Sequence, residues 1–111
     1  MSDVRRDFTV EKKNHEEVYK VLVNDKAVCT ARTLDTILLT IGTVENERNK
    51  GHATALLQYI EHKARQSGAK RFHLDEVDST VEVAVRFFKK NGYTLTPITG
   101  DEDFLEGTKD L

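Results

Sequence analysis

The stretch VENERNKGHATALLQYI, Val44 to Ile60, opens as the end of an apolar strand and closes as an amphipathic helix. Upstream, ILLTIGTV (residues 37–44) is a nearly continuous β-branched apolar run, as expected of a strand covered on both faces. Downstream, Ala53, Leu56, Leu57, Ile60 and Ala64 recur at helical spacing, while Glu61, His62 and Arg65 fall off that stripe. Gly68 supplies a stop after about Ser67. KRFHLDEV, from Lys70, then reads as another strand. Strand, helix and strand form a βαβ unit, which makes the two strands parallel and the crossover right-handed.

On the N-terminal side, DFTVEK (residues 7–12) alternates loosely as a first strand, and the polar KNHEE makes a turn. VYKVLVNDKAVCTAR reads as a hairpin turning at Asn24-Asp25, with strands at about 17–23 and 27–32. On the C-terminal side, Ser79-Thr80-Val81-Glu82 has the form of a capping box opening a second helix. Its stripe is Val81, Ala84, Val85 and Phe88, and Asn91-Gly92 ends it. YTLTPI and DFLEGTKDL are the last strands, with Pro97 pointing to an edge or a bulge. The expected architecture is α/β (α+β): a mixed, mainly antiparallel sheet of about six to seven strands with a helix on each face, in the order β-β-β-β-α-β-α-β-β.

The 111 residues are expected to form one domain spanning 1–111. At 38% hydrophobic and 32% charged, the chain has the composition of a folded protein with a charged surface. Seventeen Lys and Arg against 19 Asp and Glu give no general field for nucleic acid or an anionic membrane, so neither is an expected partner. The single cysteine, Cys29, and the lack of an apolar leader or spanning run point to the cytoplasm. Four histidines without metal-ligand spacing predict no metal.

The loop Arg48-Asn49-Lys50-Gly51-His52-Ala53 is the place for chemistry. A helix start leaves N–H groups without partners, and a glycine lets an anion such as phosphate approach them. Arg48 and Lys50 add charge, and a solvated strand-to-helix loop is the plain alternative. This segment resembles the acetyl-CoA-binding motif of the GNAT superfamily of N-acetyltransferases, Arg/Gln-x-x-Gly-x-Gly/Ala. AVRFFKKNGYTL resembles that family's next helix and strand at Ala84, Phe87, Lys90, Gly92 and Tyr93, and GTKDL resembles its last strand.

The resemblance implies transfer of an acetyl group from acetyl-CoA to a primary amine by direct attack in a ternary complex. It implies that Arg48, Asn49, Lys50, Gly51, His52, Ala53 and Thr54 hold the pyrophosphate. Thr43 and Val44 pair with the pantetheine arm, and the Val44 N–H polarises the thioester carbonyl. Lys89 and Lys90 are candidates for the nucleotide phosphates or a solvated helix end. Candidate bases are Glu45, Asp75 and Glu76, of which alternation lets at most one of the last two face the cleft. His73 is a further candidate, and Cys29 a candidate nucleophile, each with a structural role as its alternative.

The chain departs from the family pattern in three places: the asparagine often found early in the second helix aligns with Val81, or with Thr80 in a register one residue away, which leaves one pantetheine contact unassigned, and two further departures bear on the reaction. Fewer than ten residues separate the first two strands, where the family places two helices over the acceptor. This favours a bulky acceptor such as a protein terminus or lysine, or else a site completed by the second subunit of a homodimer; a small-molecule amine is the other acceptor class. Phe88 stands where the family commonly has a tyrosine that protonates the departing thiolate. Both departures feed a second reading, a non-catalytic or weakly catalytic acyl-CoA-binding module acting as sensor or assembly component.

Overall fold

A computed structural model describes residues 5–111. The strands are β1 (Asp7–Lys13), β2 (Glu16–Val23), β3 (Lys26–Leu34), β4 (Ile37–Thr43), β5 (Arg71–Asp78), β6 (Thr94–Ile98) and β7 (Asp101–Asp110). Helix α1 (His52–Gln66) follows β4 after a 3-10 turn at Glu45–Glu47, and α2 (Glu82–Lys90) follows β5. The strands form one seven-stranded sheet, ordered β1-β2-β3-β4-β5-β7-β6. Among the described residues the only parallel pairing is β4 with β5, so the element order and the mainly antiparallel sheet are as the sequence predicts.

Local chemistry sets several of these boundaries. Asn24 and Asp25 both take positive φ, 52° and 65°, which gives the two-residue hairpin the twist its strands need. β1 and β2 are joined through Asn14 and His15 alone, so no helices intervene there. Pro97 lies on the edge strand β6 beside a register shift, where its missing N–H breaks no central ladder.

The two helices share one face of the sheet, which corrects the expected helix on each face. β4, β5 and β6 run in one direction, and both crossovers step the same way across the strand order. Two right-handed crossovers then place both helices on one side. Contacts agree: Tyr93, just beyond α2, donates its hydroxyl to Glu61 of α1 at 2.6 Å. That face holds Tyr19, Val21, Ala31, Leu38, Phe72 and Leu74 under Leu56, Leu57, Ile60 and Phe88. The opposite face presents Arg32, Thr40 and Gly42 to solvent.

Two further expectations change. Ser79 does not cap α2: its N–H and hydroxyl donate to the Asp103 carbonyl at 2.8 and 2.9 Å, which ties it to β7. The helix starts at Glu82 with Val81 as an N-cap lacking a side-chain bond. Glu61, placed off the apolar stripe by spacing, is buried because it accepts hydrogen bonds from Tyr93 and from the Lys109 ammonium. No helix among the described residues is long and apolar enough to cross a membrane.

Candidate functional site

β4 and β5 pair only at Ile37↔His73 and Leu38↔Leu74, then part. A β-bulge in β4 opposite Arg32/Thr33 and another in β5 between Leu74 and Val77 bend the strands where they separate. The gap opens a cavity of about 260 Å³ lined by Leu38, Leu39, Ile41, Leu74, Val77 and Phe88, with Glu76 and Asp78 beside them. β4 is hydrogen-bonded to β3 on its other side, and Val44 N–H donates to the Val28 carbonyl at 2.9 Å. Backbone groups alternate in direction along a strand, so the N–H groups of Ile41 and Thr43 face the gap. The role expected of Val44 N–H is therefore corrected: that donor is already used by β3, and Ile41 and Thr43 hold the open positions.

The loop after β4 is shaped by two left-handed residues, Asn49 (φ 63°) and Gly51 (φ 84°). Gly51 is the N-cap of α1 and supplies no side-chain bond. The first intrahelical bond runs from Ala55 N–H to the Gly51 carbonyl at 3.0 Å, leaving the N–H groups of His52, Ala53 and Thr54 without helical partners. Such a helix start favours an anion through both its donors and its dipole.

The surrounding side chains form a network that sequence spacing could not reveal. Arg6, 46 positions before His52, donates from Nε to His52 Nδ1 at 3.0 Å and from Nη2 to the Lys50 carbonyl at 2.8 Å. His52 Nε2 lies 3.2 Å from Glu47 Oε1, and the Lys50 ammonium donates to Glu47 at 3.0 Å. The bond from Lys50, and then that from His52, hold the Glu47 carboxyl below the usual carboxylate range. His52 is 1% exposed, so its ring is part of the loop's foundation. Arg48 is exposed and has no ion-pair partner among the described residues.

The other candidates separate clearly. Of the proposed bases, Glu76 borders the cavity, whereas Asp75, Glu45 and His73 do not. The bulge breaks the simple alternation: both Asp75 and Glu76 are exposed between the buried Leu74 and Val77. Asp78, not singled out by the sequence, also borders the cavity. It accepts from the Thr80 hydroxyl and N–H at 2.7 and 2.9 Å, and these bonds hold its carboxyl below the usual range. Cys29 is buried, 3.4 Å from the Thr43 hydroxyl, and burial pushes its thiol up, so it is a core residue here and not a nucleophile.

Lys90 is not brought to the loop. It ends α2 beside Gly92, where an added β-carbon would meet the Lys109 side chain at 3.3 Å, and Lys109 pairs with Phe72 at the start of β5. The loop follows the far end of β4, which runs parallel to β5. Lys90 therefore stands at the opposite end of the sheet. Lys89 shares that end.

A family model for the acetyltransferase (GNAT) family matches residues 7–93. The chain belongs to the GNAT acetyltransferase family. The splayed β4/β5 pair and the loop before α1 are thus features of a GNAT chain, and the fold is shared with solved GNAT structures. A Bacillus subtilis acetyltransferase solved in complex with CoA superposes with a TM-score of 0.79 at 14% identity, over 98% of this chain and 99% of that one. The PaiA N-acetyltransferase of Thermoplasma acidophilum, also solved with CoA, gives 0.77 at 16% identity over 87% and 62%. The GNAT domain of S. lividans PAT gives 0.75 at 19% identity over 87% and 61%. The chain therefore spans less than two thirds of the length of those last two structures. No curated protein matches the sequence.

Proposed function

We propose that this GNAT chain is an N-acetyltransferase that moves the acetyl group of acetyl-CoA to a primary amine by direct attack in a ternary complex. The observation that carries the reading is the continuity of the uncapped start of α1 with the gap between β4 and β5. The pyrophosphate lies on the N–H groups from Gly51 to Thr54, with the Arg48 and Lys50 side chains nearby. The pantetheine arm runs along the open edge of β4 at Ile41 and Thr43, and the acetyl group enters the cavity beside Phe88. CoA in the structures of two proteins of this fold supports the placement.

In this arrangement the amine nitrogen attacks the thioester carbonyl carbon and its surplus proton passes to Glu76. An open N–H of β4 holds the developing oxyanion. The carbon–sulfur bond then breaks and CoA leaves as thiolate. A thiol pKa of about 8.5 makes that thiolate a fair leaving group at neutral pH, so Phe88 is compatible with turnover. With no helices between β1 and β2, the acceptor side is open, which suits a bulky amine such as a protein terminus or lysine side chain.

Calorimetric titration with acetyl-CoA, CoA and adenosine diphosphate, followed by transfer assays on small amines and peptides, tests the reading. Micromolar binding and acetylation of an amine are expected, and Glu76→Gln should lower kcat by about ten- to a hundredfold with little change in KM for acetyl-CoA. Binding without transfer to any amine would favour the acyl-CoA-binding module instead. No binding at millimolar ligand would end both readings.

A further inference from the structure

We propose that Arg6 is a positioning residue for the pyrophosphate loop, acting through His52 and the Lys50 carbonyl. The proposal rests on the CoA reading above and assigns to that site a residue from before β1, outside the loop and its motif. Arg6 grips the loop at two points, His52 Nδ1 at 3.0 Å and the Lys50 carbonyl at 2.8 Å. In a trans peptide the carbonyl and the following N–H point in opposite directions. Holding the Lys50 carbonyl toward Arg6 therefore aims the Gly51 N–H away from Arg6, outward with the first donors of α1. The guanidinium lies behind the loop, where a β-carbon on Gly51 would meet its Nη2 at 3.4 Å.

The same contacts fix the orientation of the ring. Arg6 can only donate, so Nδ1 accepts from it, and the ring N–H sits on Nε2 and is donated to Glu47. Arg6 from the N-terminal segment and Glu47 from the 3-10 turn therefore hold His52 from its two nitrogens, and Lys50 holds Glu47 in turn.

The test is CoA affinity of the wild type, Arg6→Ala, Arg6→Lys and His52→Asn at pH 8, with the imidazole nitrogen shifts of unliganded wild type read by NMR. Arg6→Ala should weaken CoA about ten- to a hundredfold at pH 8. Arg6→Lys should restore only part of this, because one ammonium replaces a two-point fork. His52→Asn keeps an acceptor toward Arg6, so it should lose less affinity than Arg6→Ala. The NMR shifts should show the Nε2–H tautomer. Wild type that binds CoA together with full-affinity Arg6→Ala or full rescue by lysine would overturn the proposal alone, as would the Nδ1–H tautomer. Wild type that binds neither CoA nor adenosine diphosphate would instead overturn the CoA reading, and this proposal with it.

Discussion

The β4/β5 junction has a closed end and an open end, and they are built from opposite choices. At the closed end two register pairs hold the strands, and the His73 N–H donates to the Thr36 carbonyl at 2.8 Å. Nearby, Glu61 of α1 accepts from Tyr93 at 2.6 Å and Lys109 at 2.9 Å, binding α1 to the β6/β7 side of the sheet. At the open end the ladder is missing, a cavity takes its place, and a helix begins without a cap. Unused backbone donors are costly in a protein interior but available at a cleft that a ligand fills. Stability is therefore concentrated where the two half-sheets join, and binding capacity where they part.

The largest expected effect tests the closed end. Glu61→Ala leaves the buried Tyr93 hydroxyl and the mostly buried Lys109 ammonium without their acceptor, and should cost about 2–4 kcal/mol of unfolding free energy in urea. Glu61→Gln keeps an acceptor and should cost less. Burial first, and then Glu61, push the Tyr93 phenol well above the usual tyrosine range. A group whose folded value is raised stabilises fully below its unfolded value, about 10, and loses that contribution as pH rises beyond it. Stability should therefore fall above about pH 10, less steeply in Tyr93→Phe. A Glu61→Ala loss under about 0.5 kcal/mol, typical of an exposed change, would erase the contrast between the two ends.

How much of this was legible in the sequence follows from the reach of each signal. The Asn24-Asp25 hairpin, the βαβ unit and the glycine before α1 were readable because turn dihedrals and periodicity act within a few residues. Ser79 misled because its hydroxyl found a carbonyl on β7, 24 positions away, before it could cap α2. Arg6 was silent for the same reason: its partner His52 is 46 positions on, and only the folded sheet brings them together. The one-sided helices could have been derived, since two right-handed crossovers stepping in one direction allow nothing else, but that needed β7 placed between β5 and β6. Which N–H of β4 is open depends on register with β3, and single-sequence patterns do not carry register.

At the open end, Gly51→Trp should weaken CoA binding about tenfold or more, because its β-carbon would lie 3.4 Å from Arg6 Nη2 and the ring would push Arg6 off the loop that presents the first donors of α1. The substitution also imposes left-handed strain of about 1–2 kcal/mol at φ 84°. Gly68→Ala supplies the control for that strain. It has φ 91°, nothing within 4 Å of its β-carbon, and lies past the other end of α1. Both variants should lose comparable stability, and only Gly51→Trp should lose affinity. Equal CoA affinity in the two would mean that the start of α1 is not where the anion sits.

The smallest effect sharpens the comparison inside the cavity itself. Phe88 is 7% exposed, with its ring edge-on to Phe87 at 5.1 Å and to Tyr93 at 5.9 Å between centroids. Tyr93 cannot serve as the missing acid, because its hydroxyl is spent on Glu61 at the closed end. Phe88→Tyr adds a hydroxyl to a residue that lines the cavity. A phenol stays protonated below about pH 10, and a thiol near 8.5 gains most from protonation when the pH is lower than that. Transfer should therefore rise about threefold at pH 7 and converge with wild type as pH climbs past about 9. An increase that grows with pH, or a loss of acetyl-CoA binding, would show that position 88 serves only as an apolar wall and that the departing thiolate leaves from elsewhere in the cleft.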